Sequence, residues 1–200
     1  MTVETGLIAW GSDQGAADEL DALLQRCLNG DSVALAALYD RYAAQIFRLV
    51  YGMLGHREDA EEVLQDSFEY AFRRLHRFDR RKASFKTWLY QIAISRCRNK
   101  RRRKWLPSFS LNALDQPDIA DPDAVSPAEH AHLSRRQRQV WEALQRLSPK
   151  LSDTAILRYY EGLTYQEIGQ ILQIPAKTAE SRMRLAHRAL RDLLDEQELD

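Results

Sequence analysis

The chain has 200 residues, 29 Lys plus Arg against 29 Asp plus Glu, and 44% apolar side chains, which suits one medium domain or two small ones. No apolar run approaches the roughly 20 residues of a membrane span, and no basic segment followed by an apolar one opens the sequence, so neither a membrane span nor a secretory signal is expected and a cytoplasmic location is. The net charge of zero hides a segregation: residues 1–72 hold 4 basic and 13 acidic side chains, 73–104 hold 14 and 1, 105–134 hold 0 and 5, and 135–200 hold 11 and 10. Blocks of alternating sign imply at least two partners, one of them a polyanion.

Residues 1–18 show little periodicity and read as a flexible tail, with Trp10 unexplained. From Asp18 the pattern turns helical. Leu20, Leu23, Leu24, Cys27 and Leu28 form one stripe, ended by Asn29-Gly30. Asp31-Ser32 can cap a second helix whose apolar set is Leu35, Leu38, Tyr42, Ile46, Leu49, Val50 and Met53, closed by Gly55-His56. Cys27 and Cys97 are far apart and fit neither a disulfide framework nor a zinc site.

Residues 57–76 form the next predicted helix. Val63, Leu64, Ser67, Phe68, Ala71, Phe72 and Leu75 share one face. The opposite face carries Glu58, Asp59, Glu61, Glu62, Gln65, Asp66 and Glu69. Part of that cluster needs only the helix dipole to explain it. Carboxylates at this spacing could also hold a metal, but no His joins them. A docking face for a basic partner is the sharper reading.

Phe78 to Trp105 is the stretch around which the chain is organised. A basic loop (Arg80, Arg81, Lys82) leads into a helix with Phe85, Trp88 and Tyr90 near its start. It ends in Arg96, Arg98, Lys100, Arg101, Arg102, Arg103 and Lys104. Aromatics interleaved with cations suit a surface that holds phosphates and stacks on unpaired bases. A helix with an aromatic core face and a solvated basic end would give the same pattern.

Residues 105–134 contain Pro107, Pro117, Pro122 and Pro127 and no Lys or Arg, and read as an acidic, extended linker. Helical pattern resumes near Ser134, with Val140, Leu144 and Leu147 facing one way until Ser148-Pro149. A helix from about Ser152 to Tyr160 points Ala155, Ile156 and Tyr159 inward. Thr164-Tyr165-Gln166-Glu167 is a capping box. Ile168, Ile171 and Leu172 face inward, Gly169 permits close approach, and Gln173-Ile174-Pro175 makes a short turn. The last helix buries Ala179, Met183, Ala186 and Leu190 and shows Lys177, Thr178, Glu180, Ser181, Arg182, Arg184 and Arg188 to solvent. This is the spacing of a helix-turn-helix, whose second helix enters the DNA major groove.

Taken together, these segments resemble bacterial sigma factors of the extracytoplasmic-function (ECF, group 4) type, over about Leu20 to Leu194. The resemblance rests on Asn29-Gly30-Asp31, Asp59-Ala60-Glu61-Glu62 with Gln65-Asp66 and Phe68, the run Phe85 to Ala93, the run Glu161 to Ile168, and Thr178 to Arg182. It implies an all-α chain of two helical domains: a tail at 1–18, a region 2 domain at 19–104, an acidic linker at 105–134 and a region 4 helix-turn-helix at 135–196. It implies a promoter-specificity subunit with no catalytic residue, metal or cofactor of its own. Its expected partners are RNA polymerase core (the clamp of the largest subunit), promoter DNA and an anti-sigma factor. Asp59, Glu62, Gln65 and Asp66 would dock on polymerase. Arg80, Arg81, Lys82, Phe85, Trp88, Ser95, Asn99 and Arg102 would recognise and melt the −10 element. Lys177, Thr178, Glu180, Ser181, Arg182, Arg184 and Arg188 would read the −35 element, and the linker would thread toward the RNA channels.

Three positions depart from the family. Ser95 stands where Asn is frequent, Glu180 where Lys or Arg is common, and Leu185 where Arg is common. A carboxylate repels phosphate but can accept from cytosine N4, so an unusual −35 sequence is expected, or a weaker −35 affinity offset by other contacts. Two other classes compete. A stand-alone helix-turn-helix regulator would explain the C-terminal half but not the acidic helix or the aromatic-basic stretch. An enzyme acting on nucleic acid would use the acidic cluster with a metal, but no His and no convergent spacing support it.

Overall fold

In the computed structural model the described residues are 14–105 and 135–197, with side chains described for 18–103 and 139–195. They form eight α-helices, one 3-10 turn and no strand: α1 (Gln14–Leu28), α2 (Ser32–Leu54), α3 (Arg57–Arg73), the turn Leu75–Arg77, α4 (Phe85–Trp105), α5 (Arg135–Arg146), α6 (Pro149–Tyr159), α7 (Tyr165–Leu172) and α8 (Ala176–Gln197). Residues 1–13 and 106–134 lie outside the described residues; of the linker expected at 105–134, Trp105 instead ends α4. The chain divides into two compact units, Met1–Arg41 and Tyr42–Asp200.

The first unit holds α1 and the start of α2. Helix α1 begins at Gln14, inside the stretch read as a tail, because the alanines there are helix formers without a periodic apolar signal. Gly30 ends the turn after α1 with φ +81°, a conformation that side chains resist. Asp31 then caps α2: its Oδ1 accepts from the Val33 and Ala34 amides at 2.9 and 3.1 Å. The Arg26 guanidinium beside it holds the Asp31 carboxyl below the usual range. Cys27 is buried, and burial raises its thiol pKa.

The second unit has two halves: the rest of α2 with α3 and α4, and helices α5 to α8. Helix α3 packs along α4, burying Val63, Ser67, Phe68 and Ala71. Gly55, with φ +73°, turns α2 into α3. Cys97 is fully buried in α4, and burial pushes its thiol up to about 12, so neither thiol is reactive. Ser84 caps α4, its Oγ accepting from the Thr87 amide at 3.1 Å.

The other half packs α5, α6 and α7 around α8, with Leu144, Leu147, Ala155, Met183 and Ala186 at its centre. Two sequence expectations fail here. Val140 is 36% exposed while Trp141 is buried, and Tyr159 is 59% exposed while Leu157 is buried. Both errors are local, since Leu144, Leu147, Ala155 and Ile156 on the same helices are buried as expected. The missing cue is a second apolar contact surface: Trp141 stacks on Tyr51 of α2, with centroids 5.4 Å apart. The capping box forms as expected, with Thr164 and Glu167 satisfying each other's amides. Those Thr164 bonds hold the Glu167 carboxyl below its ordinary value.

The two halves are clasped together. Arg98 Nε of α4 donates to Asp153 Oδ2 of α6 at 3.2 Å, and Arg101 Nη1 and Nη2 donate to Oδ1 at 3.1 and 3.2 Å. Arg101 Nη2 also donates to the Met53 carbonyl at 2.7 Å. Tyr90 donates to Glu161 Oε2, and Gln91 Nε2 donates to the Gln170 carbonyl at 2.9 Å. Gln145 Nε2 donates to the Gly52 carbonyl at 3.1 Å. Desolvation first, then the bond to Glu161, raises the Tyr90 pKa and keeps it a donor.

Gly169 admits the tight turn between α7 and α8. A Cβ there would meet the Ile174 carbonyl oxygen at 2.7 Å and the Ala176 amide nitrogen at 3.3 Å, both backbone atoms that cannot move aside cheaply. Gly169→Ala is therefore expected to lower stability by about 1–3 kcal/mol through overpacking. Urea unfolding should show the lower midpoint with an unchanged slope.

Candidate nucleic-acid interface

An aromatic cluster sets the position of the loop before α4. Phe85 lies among Tyr42, Phe78 and Trp88, with centroids at 5.4, 5.5 and 5.8 Å. Phe85 is 2% exposed, so the structure corrects its reading as a stacking group. It is a core residue on which Trp88 rests. Trp88 itself is half-buried and keeps part of its ring at the surface.

The loop residues Arg80, Arg81 and Lys82 are exposed. Their arrangement depends on a residue the sequence reading passed over. Asp79 Oδ1 accepts from the Arg81 amide at 3.0 Å and from Arg81 Nε at 3.1 Å, while Oδ2 accepts from Nη2 at 3.1 Å. The bond from Arg81 holds the Asp79 carboxyl below its ordinary range. The single acid in the basic block thus shapes the loop that carries its cations.

Ser95, Asn99 and Arg102 are exposed and lie on the same face of α4 as Trp88, at spacings of seven, four and three residues. Arg102 Nη2 donates to Asn99 Oδ1 at 3.2 Å, which orders that end of the face. Trp88, Ser95, Asn99 and Arg102 thus share one face of α4, the exposed loop of Arg80, Arg81 and Lys82 precedes that helix, and Phe85 is buried in the core.

The cationic run on α4 is not one patch. Arg96 lies over the Tyr70 ring at 4.7 Å. Lys100 reaches Asp59 at 3.2 Å and Glu62 at 2.5 Å on α3. Burial opposes the Lys100 charge, but the bonds to Glu62 and Asp59 outweigh it and raise its pKa. Arg98 and Arg101 hold Asp153. Arg102 and Arg103 remain exposed. Sequence spacing could not show this parcelling, since the partners lie on other helices.

The proposed polymerase-docking set is likewise divided. Asp59 is half-buried and engaged by Lys100, and Glu62 shares that lysine. Gln65 and Asp66 are exposed further along the same acidic helix. The docking face thus has a structured end and an open end.

In the C-terminal half, Lys177, Glu180, Arg184 and Arg188 of α8 are exposed, and Thr178, Ser181 and Arg182 are half-buried. Ser181 Oγ donates to the Lys177 carbonyl at 2.9 Å and accepts from Arg184 Nη2 at 3.3 Å. These bonds align the outward face of the helix. Leu185 is 52% exposed beside it, an apolar group on a surface that also carries Lys177, Glu180, Arg184 and Arg188. The short helix α7 and the turn at Gln173 (φ +56°) present α8 as the second element of a helix-turn-helix. Among the described residues no helix is long and apolar enough to cross a membrane.

Comparison with known proteins follows this division of surfaces. Sigma-70 region 2 matches residues 38–106, and Sigma-70, region 4 matches residues 137–193. The chain is 30% identical to ECF RNA polymerase sigma factor SigW of Bacillus subtilis over 178 residues, 86% of this chain and 94% of the relative. It is 31% identical to RNA polymerase sigma-H factor of Pseudomonas aeruginosa over 174 residues, 84% and 90% of the two chains. It is 32% identical to ECF RNA polymerase sigma factor SigK of Mycobacterium tuberculosis over 177 residues, 88% and 94%. Among solved structures, CnrH in complex with the cytosolic domain of CnrY shares the fold at a TM-score of 0.63 and 20% identity, covering 88% of this chain and 96% of that one. Sigma factor RpoE, in complex with the anti-sigma factor NepR from Bartonella quintana, does so at 0.58 and 20% identity, covering 80% and 96%.

Burial separates the two aromatic residues by experiment. Phe85→Ala removes a fully packed ring and is expected to cost about 3–5 kcal/mol. Trp88→Ala, at a half-exposed position, should cost clearly less. Thermal melts of the two variants side by side check the order; an equal or smaller loss for Phe85→Ala would place Phe85 outside the core.

Proposed function

The chain belongs to the ECF sigma factors, and from that premise we propose that it binds bacterial RNA polymerase core and directs it to promoters by their −10 and −35 elements. The reading assigns it no chemistry of its own: polymerase makes the bonds, and this chain selects where. Its place of work is then the cytoplasm, with the polymerase.

One observation carries this reading. A single chain holds an exposed acidic helix face, an aromatic-basic loop and helix, and a capped helix-turn-helix, each on its own element. A stand-alone DNA regulator would use only the last. The acidic face around Gln65 and Asp66 suits a basic protein surface. The α4 face formed by Trp88, Ser95, Asn99 and Arg102 offers a ring for stacking, hydrogen-bonding groups for a base edge and a cation for the displaced backbone. On α8, Lys177, Arg184 and Arg188 suit phosphates, and Glu180 can accept from cytosine N4. The exposed Leu185 suits a thymine methyl group, so the −35 preference should differ from that of relatives with a cation there. Control by an anti-sigma factor, as in the RpoE complex with NepR, fits the same reading.

Run-off transcription tests it: purified core polymerase, this protein and a pool of genomic promoter fragments should give transcripts that depend on the protein. Core binding absent from such an assay would leave only the stand-alone regulator. Asp66→Arg inverts charge at the open end of the acidic face and is expected to abolish core binding while circular dichroism stays unchanged. Unaltered core affinity would remove Asp66 from the docking surface. Trp88→Ala is expected to reduce open-complex formation about tenfold, the loss of one stacked base, with core affinity retained. Permanganate footprinting of the melted strand reads that effect directly.

A further inference from the structure

We propose that Asp153 is a latch that holds the two halves of the second unit shut, and that opening transfers Arg98 from this carboxylate to the promoter DNA backbone. The inference rests on the promoter-specificity reading above and deepens it.

The closed arrangement cannot perform the proposed task. Elements centred at −10 and −35 are about 25 base pairs apart, roughly 85 Å along B-DNA at about 3.4 Å per pair. Here α4 touches α7, the helix just before the recognition helix, through the bond from Gln91 to the Gln170 carbonyl at 2.9 Å. A chain in which the two reading helices are neighbours cannot reach both elements at once. Opening is therefore a required step.

The clasp has the chemistry of a latch. Asp153 is 1% exposed and receives bonds from Arg98 and Arg101, both from the other half. Charge-assisted bonds of this kind are strong and directional. Elsewhere the interface is imperfect. Glu161 Oε1, with 2% of its side chain exposed, has Arg48 at 3.5 Å but no hydrogen bond, and Trp141 Nε1 is buried without a protein partner. Buried polar atoms left unmatched oppose closure, so the surfaces are poised to separate. Three of the hydrogen bonds between the halves, all charge-assisted, converge on one carboxylate.

Arg98 is also placed to serve after opening. At 3.6 residues per turn it lies about 40° from Arg102 and about 60° from Ser95 around α4. Its side chain is 47% exposed, whereas Arg101 is 20% exposed and turned toward the Met53 carbonyl. Arg98 thus stands at the border between the proposed −10 face and the clasp. Loss of Asp153 would leave its guanidinium beside the DNA path, where phosphate supplies the replacement anion.

The test uses the full chain with Gln91→Cys and Gln170→Cys and a short cleavable bis-maleimide, the native thiols being buried. Rapid linkage within one chain is expected, and its failure overturns the closed state in solution. The linked protein should lose promoter-dependent transcription at least about tenfold and regain it when the linker is cleaved. Full activity while linked overturns the requirement for opening. Adding Asp153→Asn should slow linkage roughly tenfold by removing the charge-assisted bonds; an unchanged rate overturns Asp153 as the latch. In holoenzyme, Arg98→Gln should reduce the salt dependence of promoter binding by about one released ion, and an unchanged slope overturns the transfer to DNA. If the cleaved control gives no transcript at all, the promoter-specificity reading has failed, while the linkage rates still judge the latch.

Discussion

Withdrawing the Asp153 carboxylate from water is costly, and two guanidiniums from a different part of the chain offset that cost. The contact decides how the halves of the second unit meet. Arg98 and Arg101 sit on α4, and α4 also carries the wall of the proposed −10 surface and the buried side chains that pack on α3. Asp153 sits on α6, which packs on α8, the proposed recognition helix. This ionic contact, with the Tyr90–Glu161, Gln91–Gln170 and Gln145–Gly52 bonds, connects the framework behind one proposed DNA-reading surface to the framework behind the other. Breaking one partner of such a buried pair is far more disruptive than replacing the pair, because it leaves an unmatched charge behind.

The same economy of charge runs through α4. Its cations are divided among an aromatic ring, two acidic side chains of α3, the Asp153 carboxylate and solvent. A helix with so many cations in a row would repel itself if all were solvated in one patch. Distributing them relieves that repulsion and gives each a geometric purpose. Lys100 ties α4 to the acidic helix, so the same pair of elements that would face polymerase and DNA is braced as one piece.

Much of this was legible in the chain itself. The helix boundaries at Gly30 and Gly55, the cap at Asp31 and the capping box at Thr164 follow from local chemistry, where side chain and backbone lie within a few residues. The face of Trp88, Ser95, Asn99 and Arg102 follows from helical spacing alone. What was not legible depends on contacts distant in sequence. Val140 and Tyr159 looked inward because a one-face pattern assumes one apolar partner, whereas Trp141 packs on Tyr51. Phe85 looked like a stacking group because its burial under Tyr42 and Phe78 needs a loop and a helix from elsewhere. Asp153 gave a faint signal: Ser152, Asp153 and Thr154 are consecutive polar residues, and all three are buried. Such a run in a helix asks for a partner that periodicity cannot name.

In the proposed reading, Ser95, Glu180 and Leu185 set what the −10 and −35 surfaces can distinguish. Glu180 is exposed at the start of the recognition helix, with Lys177 one turn before it and Arg184 one turn after. The cations can hold the helix on phosphates, so the carboxylate need not approach the backbone and is left to the base edges. Leu185 lies on the flank of the same surface, where a cation would add affinity for any sequence and an apolar group adds it only where a methyl is met. Both changes exchange general attraction for discrimination. In that reading, a chain that binds the −35 element less by charge depends more on its polymerase contacts and on the −10 surface, beside which the aromatic cluster packs and Lys100 ties α4 to α3.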